Sequence, residues 1–267
     1  MYLSIETEGL ALIWHGGQVL IQDSMLYNQM TIGKMPLETK LGHSDAAAPR
    51  RPTTMEDLSM RLARLKLDSV AVEAGGATVF SFEKDAKLQF RAGQFGVWIV
   101  NGSIRPFTFA SSPQDAHVQL ATRVHDGNAI KRALKALRKG DVVRVLAPLG
   151  KGGPTADGRA VVYIAQGIGI TTARSLIRAT VGREQILLHV GKPYFREELE
   201  PLVTTAIYPI DRDEYTLALR KHARHQPDAH YVVSGSGSFA KAAREMLVHE
   251  GIPVANIRSD AYIGLSS

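Results

Sequence analysis

Residues 160–177 read AVVYIAQGIGITTARSLI. The first seven form a continuous apolar run, the pattern of a strand buried on both faces of a sheet. Glycine then breaks the run, and TTARSLIRATV takes on helical character. A strand that turns on glycine straight into a helix is the opening unit of a parallel α/β sheet. Gly167 and Gly169 at such a turn let the backbone approach a pyrophosphate closely. The helix start at Ile170 and Thr171 offers free N–H groups and the positive end of a dipole. The pattern is G-x-G-x-x-T rather than the full dinucleotide fingerprint, and a plain tight turn accounts for the same residues.

The same rhythm continues downstream. QILLHVGK reads as a strand, FREELEPLV as a helix, HYVVSGS as a strand and SFAKAAREMLVHEG as a helix ended by Gly251, with NIRSDAYI last. Ser234-Gly235-Ser236-Gly237 places a second small-residue turn at a strand end. Ligands of open α/β sheets sit beyond the carboxyl ends of the strands, so two such turns predict one shared cleft. Two unrelated connections are the alternative.

Upstream, from Arg61 to Pro148, the pattern is β. LARLKLDSVAV, ATVFSFEK, FGVWIV, FTFAS, HVQLATRV and DVVRVLAP are short runs rich in β-branched and aromatic residues, several parted by turn signals such as EAGGA and RKGD. Six short strands with tight turns predict a small antiparallel barrel. One helix interrupts it over 128–138, with Ile130, Leu134 and Leu137 along one face. RPFTFASSP, residues 105–113, groups a cation, two rings and hydroxyls. Arg105 suits a phosphate, Phe107 and Phe109 suit a ring, and Thr108, Ser111 and Ser112 supply hydroxyls. Strand alternation puts Arg105, Phe107 and Phe109 on one face. A barrel strand with one surface arginine fits the same letters.

The chain has 267 residues and no cysteine, which excludes disulfides and thiolate-held zinc or iron–sulfur sites. Its histidines show no metal-ligand spacing, and His125, in a loop, reads as solvated. Residues 1–60 carry 4 Lys+Arg against 7 Asp+Glu, whereas 61–267 carry 28 against 19. A basic body suits an acidic partner or a phosphate-bearing ligand, although general solubility explains it as well. No basic run is interleaved with aromatics as nucleic-acid binding would need. No apolar run is long enough for a membrane span, and the N-terminus lacks a basic region before an apolar stretch, so a cytoplasmic protein is expected. ALIW and VLIQ, joined through His15-Gly16-Gly17, predict a hairpin. Residues 40–56 read as a linker.

From residue 61 onward the chain resembles the ferredoxin–NADP reductase superfamily of flavoprotein reductases. The resemblance rests on ordered landmarks over roughly three quarters of the sequence. Phe90 to Phe95 is similar to F-x-P-G-Q-[YF], with Ala92 for proline, and Arg105 to Thr108 to the flavin signature R-x-[YF]-[ST]. Gly140-Asp141 and Pro148-Leu149-Gly150 look like the G-D and P-x-G that close the barrel. Gly167 to Thr171 is similar to G-x-G-I-T, Tyr231 to Gly235 to the strand before C-G-P, and Asp260 to Gly264 to the terminal D-x-[FY]-x-G.

The resemblance implies a six-stranded antiparallel flavin-binding barrel over 61–152 and a parallel-sheet nicotinamide domain over 153–267, with 1–60 an extension. It implies FAD and NAD(P)H. Arg105 and Pro106 would belong to the phosphate-binding strand, Phe107 would pack on the flavin and Thr108 would hydrogen-bond near flavin N5. Ser111 and Ser112 would line the path to the phosphates or adenine, and the helix start at Gly127, Asn128 and Ala129 would meet the pyrophosphate. Gly167, Gly169, Ile170, Thr171 and Gly235 would hold the nicotinamide dinucleotide. Thr108, Ser234 and Tyr262 would sit at the reacting centre, Tyr262 covering the flavin face. Departures fall mainly in the second half: Thr172 for proline, Gln166 for glycine, Ser234 and Ser236 for cysteine and proline, Leu265 for an aromatic. Lys192 and Arg196 are candidates for a 2′-phosphate. Hydride would pass from NAD(P)H to FAD and electrons onward to a separate acceptor, such as an acidic ferredoxin, a flavodoxin or a ferric chelate. The alternatives are a subunit that keeps the fold without catalysis, or an assembly subunit docking through residues 1–60.

Overall fold

The computed structural model describes residues 3–7, 10–15, 18–23, 62–180 and 182–262. The chain forms two compact units that part between Arg50 and Arg51. In the first, β1 (Leu3–Thr7), β2 (Leu10–His15) and β3 (Gln18–Asp23) make a three-stranded antiparallel sheet. Its β2–β3 pair is the hairpin read from ALIW and VLIQ.

In the second unit, six antiparallel strands build the barrel: β4 (Leu62–Val72), β5 (Thr78–Glu83), β6 (Phe95–Val100), β7 (Ser103–Thr108), β8 (His117–Thr122) and β9 (Val142–Leu149), in the order β7-β6-β9-β4-β5-β8. Alternation is visible in β4, where Ala63, Leu65 and Leu67 point inward and Leu62, Arg64 and Lys66 outward. The inward residues join Phe80, Phe82, Trp98, Phe109, Leu120 and Val145 in one core. Helix α1 (Ala129–Ala136) adds Ile130 and Leu134 to that core, with Leu137 just past its end. The helical spacing of the sequence is therefore a packing face.

One expected strand is displaced. FTFAS does not run as a strand; β7 ends at Thr108, and the Ala110 amide donates to Gln119 O on β8. The chain crosses over at Phe109. Alternation no longer applies there, and Phe109 lies in the core with its ring centroid 4.4 Å from that of Phe90. Phe107, by contrast, is half-buried.

The second sheet is parallel, in the order β12-β11-β10-β13-β14, from β10 (Val161–Gln166), β11 (Gln185–Val190), β12 (Thr205–Ile207), β13 (His230–Ser236) and β14 (Ile257–Tyr262). The edge strand β12 has three residues, too few for a readable pattern. Helices α2 (Ile170–Ala179), α4 (Arg212–His225) and α5 (Gly237–His249) are full elements. FREELEPLV is a single turn, α3 (Arg196–Leu199), followed by a 3-10 turn that contains Pro201. No helix among the described residues is long and apolar enough to cross a membrane.

Helix α2 is buried on every side from Ile170 to Ile177. Its apolar residues pack with Tyr163, Ala165 and Val232 of the sheet. Its polar stripe meets the barrel. The Ser175 hydroxyl donates to Ser111 O at 2.7 Å, and the Arg174 guanidinium donates to Ala110 O at 2.6 Å and to Gln119 Oε1 at 2.8 Å. This helix joins the barrel to the sheet.

Candidate functional site

The barrel landmarks hold one another. The Gln94 carboxamide accepts from the Arg91 amide at 2.7 Å and donates to Gly150 O at 2.7 Å. The F-R-A-G-Q-F and P-L-G segments are thus tied by one side chain. Just past them, β7 carries Arg105, Phe107 and Thr108, all partly exposed.

A buried cation stands beside Phe107. Lys131, on the first turn of α1, is 9% exposed, its amine 5.4 Å from the Phe107 ring centroid and bonded to the Thr122 hydroxyl. Arg105 and Arg123 act on it electrostatically. Burial, with the two guanidiniums adding, pushes the Lys131 amine down to about 8. Sequence reading named Arg105 and missed Lys131, because NAIKRALK places lysine where an amphipathic helix shows its solvent face. The α1 start is partly satisfied from within. Asn128 accepts from the Lys131 amide at 3.1 Å, and the Gly127 amide donates to His125 Nδ1 at 3.0 Å. His125 is thereby assigned a turn-holding bond.

Ser111 and Ser112 follow β7 on the way to β8. Both are buried; the Ser111 hydroxyl accepts from the Gln119 amide, its carbonyl takes the Ser175 bond, and the Ser112 hydroxyl pairs with Gln114. They belong to the junction between barrel and sheet.

At the sheet end, the two small-residue turns are in contact. Gly167–Gly169 forms a 3-10 turn leading into α2, and no side chain caps that helix. A Cβ on Gly169 would lie 2.7 Å from Ser234 O, so the neighbouring strand by itself requires glycine there. Gly167 has φ +52 with open space around its Cβ position, so it faces outward. Gln166 Oε1 accepts from the Ser236 hydroxyl at 2.8 Å, clasping the second turn, where Ser236 also caps α5. The Ser234 hydroxyl is buried without a hydrogen-bond partner among the described residues. Tyr262 ends β14 opposite Ser236; its side chain, with the expected role over the flavin, lies outside the described residues, as do Ile263 to Leu265.

Barrel and sheet motifs face each other at one point. The Thr108 and Thr172 hydroxyls are 3.4 Å apart. The residue that departs from the proline of the resemblance is therefore the one that meets the flavin-motif threonine.

His189 on β11 lies beneath the signature turn, fully buried, with Nε2 3.0 Å from Gly167 O. A carbonyl only accepts, so Nε2 carries the proton and Nδ1, which has no partner among the described residues, is a bare acceptor. Burial lowers the His189 pKa from its ordinary 6.5. The unfolded chain takes up this proton more readily. The stability from neutral His189 is complete above about pH 6.5 and is lost as pH falls below it. The thermal midpoint of the H189Q variant, which keeps an N–H for Gly167 O, is expected to fall less than that of the wild type between about pH 7.5 and 5.5. Parallel curves would remove His189 from the account.

No family model matches the chain. Among curated proteins it is 26% identical over 135 residues to the CDP-6-deoxy-L-threo-D-glycero-4-hexulose-3-dehydrase reductase of Yersinia pseudotuberculosis, covering 48% of this chain. The match spans 41% of that relative's length. Among solved structures, a ferredoxin NADP+ reductase from Neisseria gonorrhoeae with bound FAD and NADP superposes with a TM-score of 0.64 at 15% identity, over 75% of this chain and 98% of that one. The ferredoxin reductase of carbazole 1,9a-dioxygenase gives 0.63 at 17%, over 76% and 69%. An Amycolatopsis cytochrome P450 reductase gives 0.61 at 21%, over 77% and 71%. The chain has the fold of the ferredoxin–NADP reductase superfamily, an antiparallel barrel followed by a parallel α/β sheet.

Proposed function

We propose that the chain is a flavoprotein reductase that binds FAD on residues 61–152 and NAD(P)H on 153–267 and gives electrons to a separate acceptor. The contact of Thr108 with Thr172 carries this reading, because it sets the flavin-motif strand against the helix that opens on the glycine turn. The charges agree. Lys131 stands beside Phe107, and Arg105 and Arg123 act on it electrostatically, which supplies positive charge of the kind a dinucleotide's phosphates take.

In this reading Arg105 and the α1 start at Asn128 and Ala129 bind the flavin phosphates. Phe107 packs on the flavin, and Thr108 hydrogen-bonds at its N5 edge. The first turn of α2 at Ile170 and Thr171 takes the nicotinamide pyrophosphate at the helix N-terminus, with Gly167 and Gly235 shaping the cleft. The Ser234 hydroxyl, buried and without a partner among the described residues, answers a nicotinamide carboxamide. Tyr262 covers the flavin face. Bound flavin supplies the chemistry, taking a hydride and releasing electrons singly. The chain contributes orientation, holding two rings at reacting distance. With no cysteine it keeps no thiolate-held cluster, so the acceptor is separate, and a net charge of +6 favours an acidic one.

Visible spectra of the purified chain with FAD, recorded without oxygen before and after NADH or NADPH, test the proposal. A band near roughly 450 nm that one nucleotide bleaches is the expected result. A band that neither bleaches would leave a flavin-binding subunit without reductase activity. No bound flavin would overturn the assignment of Arg105 to Thr108.

A further inference from the structure

From Ile186 to Leu188, β11 is buried and apolar, as a strand covered on both faces requires. The next residue, His189, is as deeply buried but polar. An imidazole in such a place costs free energy unless its nitrogens are bonded. Among the described residues one of the two has a partner: Nε2 lies 3.0 Å from Gly167 O, whereas Nδ1 has none. The ring packs beside that of Tyr208, centroids 6.2 Å apart. The burial of this histidine is therefore offset at a single atom, the carbonyl oxygen of the glycine turn.

That oxygen does not need the histidine in order to be satisfied. It already accepts from the Ile170 amide, in the bond that closes the 3-10 turn. A carbonyl oxygen has two lone pairs, and the His189 Nε2–H takes the second. What this second bond adds is direction. Gly167 has φ +52, and nothing lies within 4 Å of its Cβ position. Glycine enters the left- and right-handed regions about equally readily, so the residues of the turn alone leave the peptide between Gly167 and Ile168 free to turn over. In a trans peptide plane the C=O and N–H point opposite ways. Pinning Gly167 O against β11 thus turns the Ile168 N–H away from β11.

We infer that His189 is a positioning residue for the nicotinamide dinucleotide: its Nε2–H locks the Gly167–Ile168 peptide in the orientation that presents the Ile168 N–H to the pyrophosphate. This rests on the placement of NAD(P)H at the glycine turn under the proposed function. His189 itself touches neither the nucleotide nor the flavin in this account. It acts through one carbonyl, from the strand beside the turn. A leucine would fill the same space and leave the peptide free. Asparagine carries its N–H at the level of Nδ1, short of Gly167 O, and glutamine carries one at the level of Nε2.

Stopped-flow reduction of the FAD-loaded full chain without oxygen, over a range of NADH or NADPH concentrations, gives a dissociation constant and a limiting rate for each variant. H189L and H189N are each expected to raise the dissociation constant about tenfold, the worth of one buried hydrogen bond. Their flavin spectra and limiting rates are expected to stay near those of the wild type, because the pyrophosphate loses its donor while the stacked rings do not move. H189Q is expected to bind the nucleotide as the wild type does. A role confined to stability predicts one dissociation constant for every variant that remains folded, so equal values for wild type, H189L and H189N would overturn the inference. An H189Q loss as large as that of H189L would overturn it too, since the packing of the ring rather than its N–H would then be what counts. A wild type that holds FAD but binds neither NADH nor NADPH would instead overturn the nucleotide half of the proposed function, and this inference with it.

Discussion

Gly169→Ala is expected to leave FAD bound with an unaltered spectrum and to slow its reduction by NAD(P)H about a hundredfold or more. The added methyl would sit 2.7 Å from Ser234 O, 2.9 Å from Ser234 C and 3.0 Å from the Gly235 amide. These are backbone atoms of a strand paired on both sides, with Ala165 of β10 and Asp260 of β14. They cannot rotate away as the end of a side chain can. The 3-10 turn and the start of α2 must move instead, and overpacking of this kind costs about 1–3 kcal/mol. The displaced parts are those proposed to hold the dinucleotide, while the barrel is untouched. Gly158→Ala is the control. Its methyl would meet open space, and its cost is the left-handed conformation at φ +81, about 1–2 kcal/mol. Stopped-flow bleaching separates the two. Equal reduction rates for G169A and wild type would place the nicotinamide path away from this turn.

The parts legible in the sequence are those whose cause is local. Val161 to Ala165, Ile186 to Leu188 and Tyr231 to Val233 are continuous apolar runs because helices cover both faces of a parallel sheet. The alternation in β4 and the spacing of Ile130, Leu134 and Leu137 mark their buried faces equally well. The glycine turns and the arginine of β7 are legible because few residue types fit them. What escaped depends on distant contacts. The polar stripe of α2 reads as a solvent face and is instead a joint, since Ser111, Ala110 and Gln119 accept hydrogen bonds there from more than fifty residues away. Glu73, in the β4–β5 turn, drew no notice. Its carboxylate accepts from the amides of Gly75 at 2.8 Å, Ala77 at 2.8 Å and, across the junction, Phe195 at 2.9 Å. Lys131 and His189 are of the same kind: their letters are ordinary, and only the packing around them gives them chemistry.

Arg174→Ala is expected to cost about 3–5 kcal/mol, the range for removing one partner from a buried charge network. Against a total of about 5–15 kcal/mol for a folded protein, that is a large share. The Arg174 side chain is 7% exposed, and both Nε and Nη1 are engaged. Nε reaches both Glu198 oxygens at 2.9 and 3.0 Å, and Nη1 reaches Ala110 O and Gln119 Oε1. The guanidinium also lies 4.8 Å over the Phe195 ring. Truncation strips a donor from a buried carbonyl, halves the pairing of Glu198 and opens a void between barrel and sheet. Glu198 keeps Arg178 at 2.7 Å, and Arg178 keeps Asp115 at 2.7 Å, so the junction weakens without coming apart. Lysine is not expected to rescue it, because a single ammonium cannot span the carboxylate, the carbonyl and the ring. The exposed pair of Lys66 with Glu83, at 2.9 Å and about half exposed on each side, gives the contrast: Lys66→Ala should leave stability close to that of the wild type. Thermal unfolding of the three variants checks the ordering. The same joint holds Thr108 against Thr172, so R174A should also slow flavin reduction at temperatures where it remains folded. An R174A protein as stable as K66A would mean that water replaces the arginine at no cost, and that helix α2 is not what sets the barrel against the sheet.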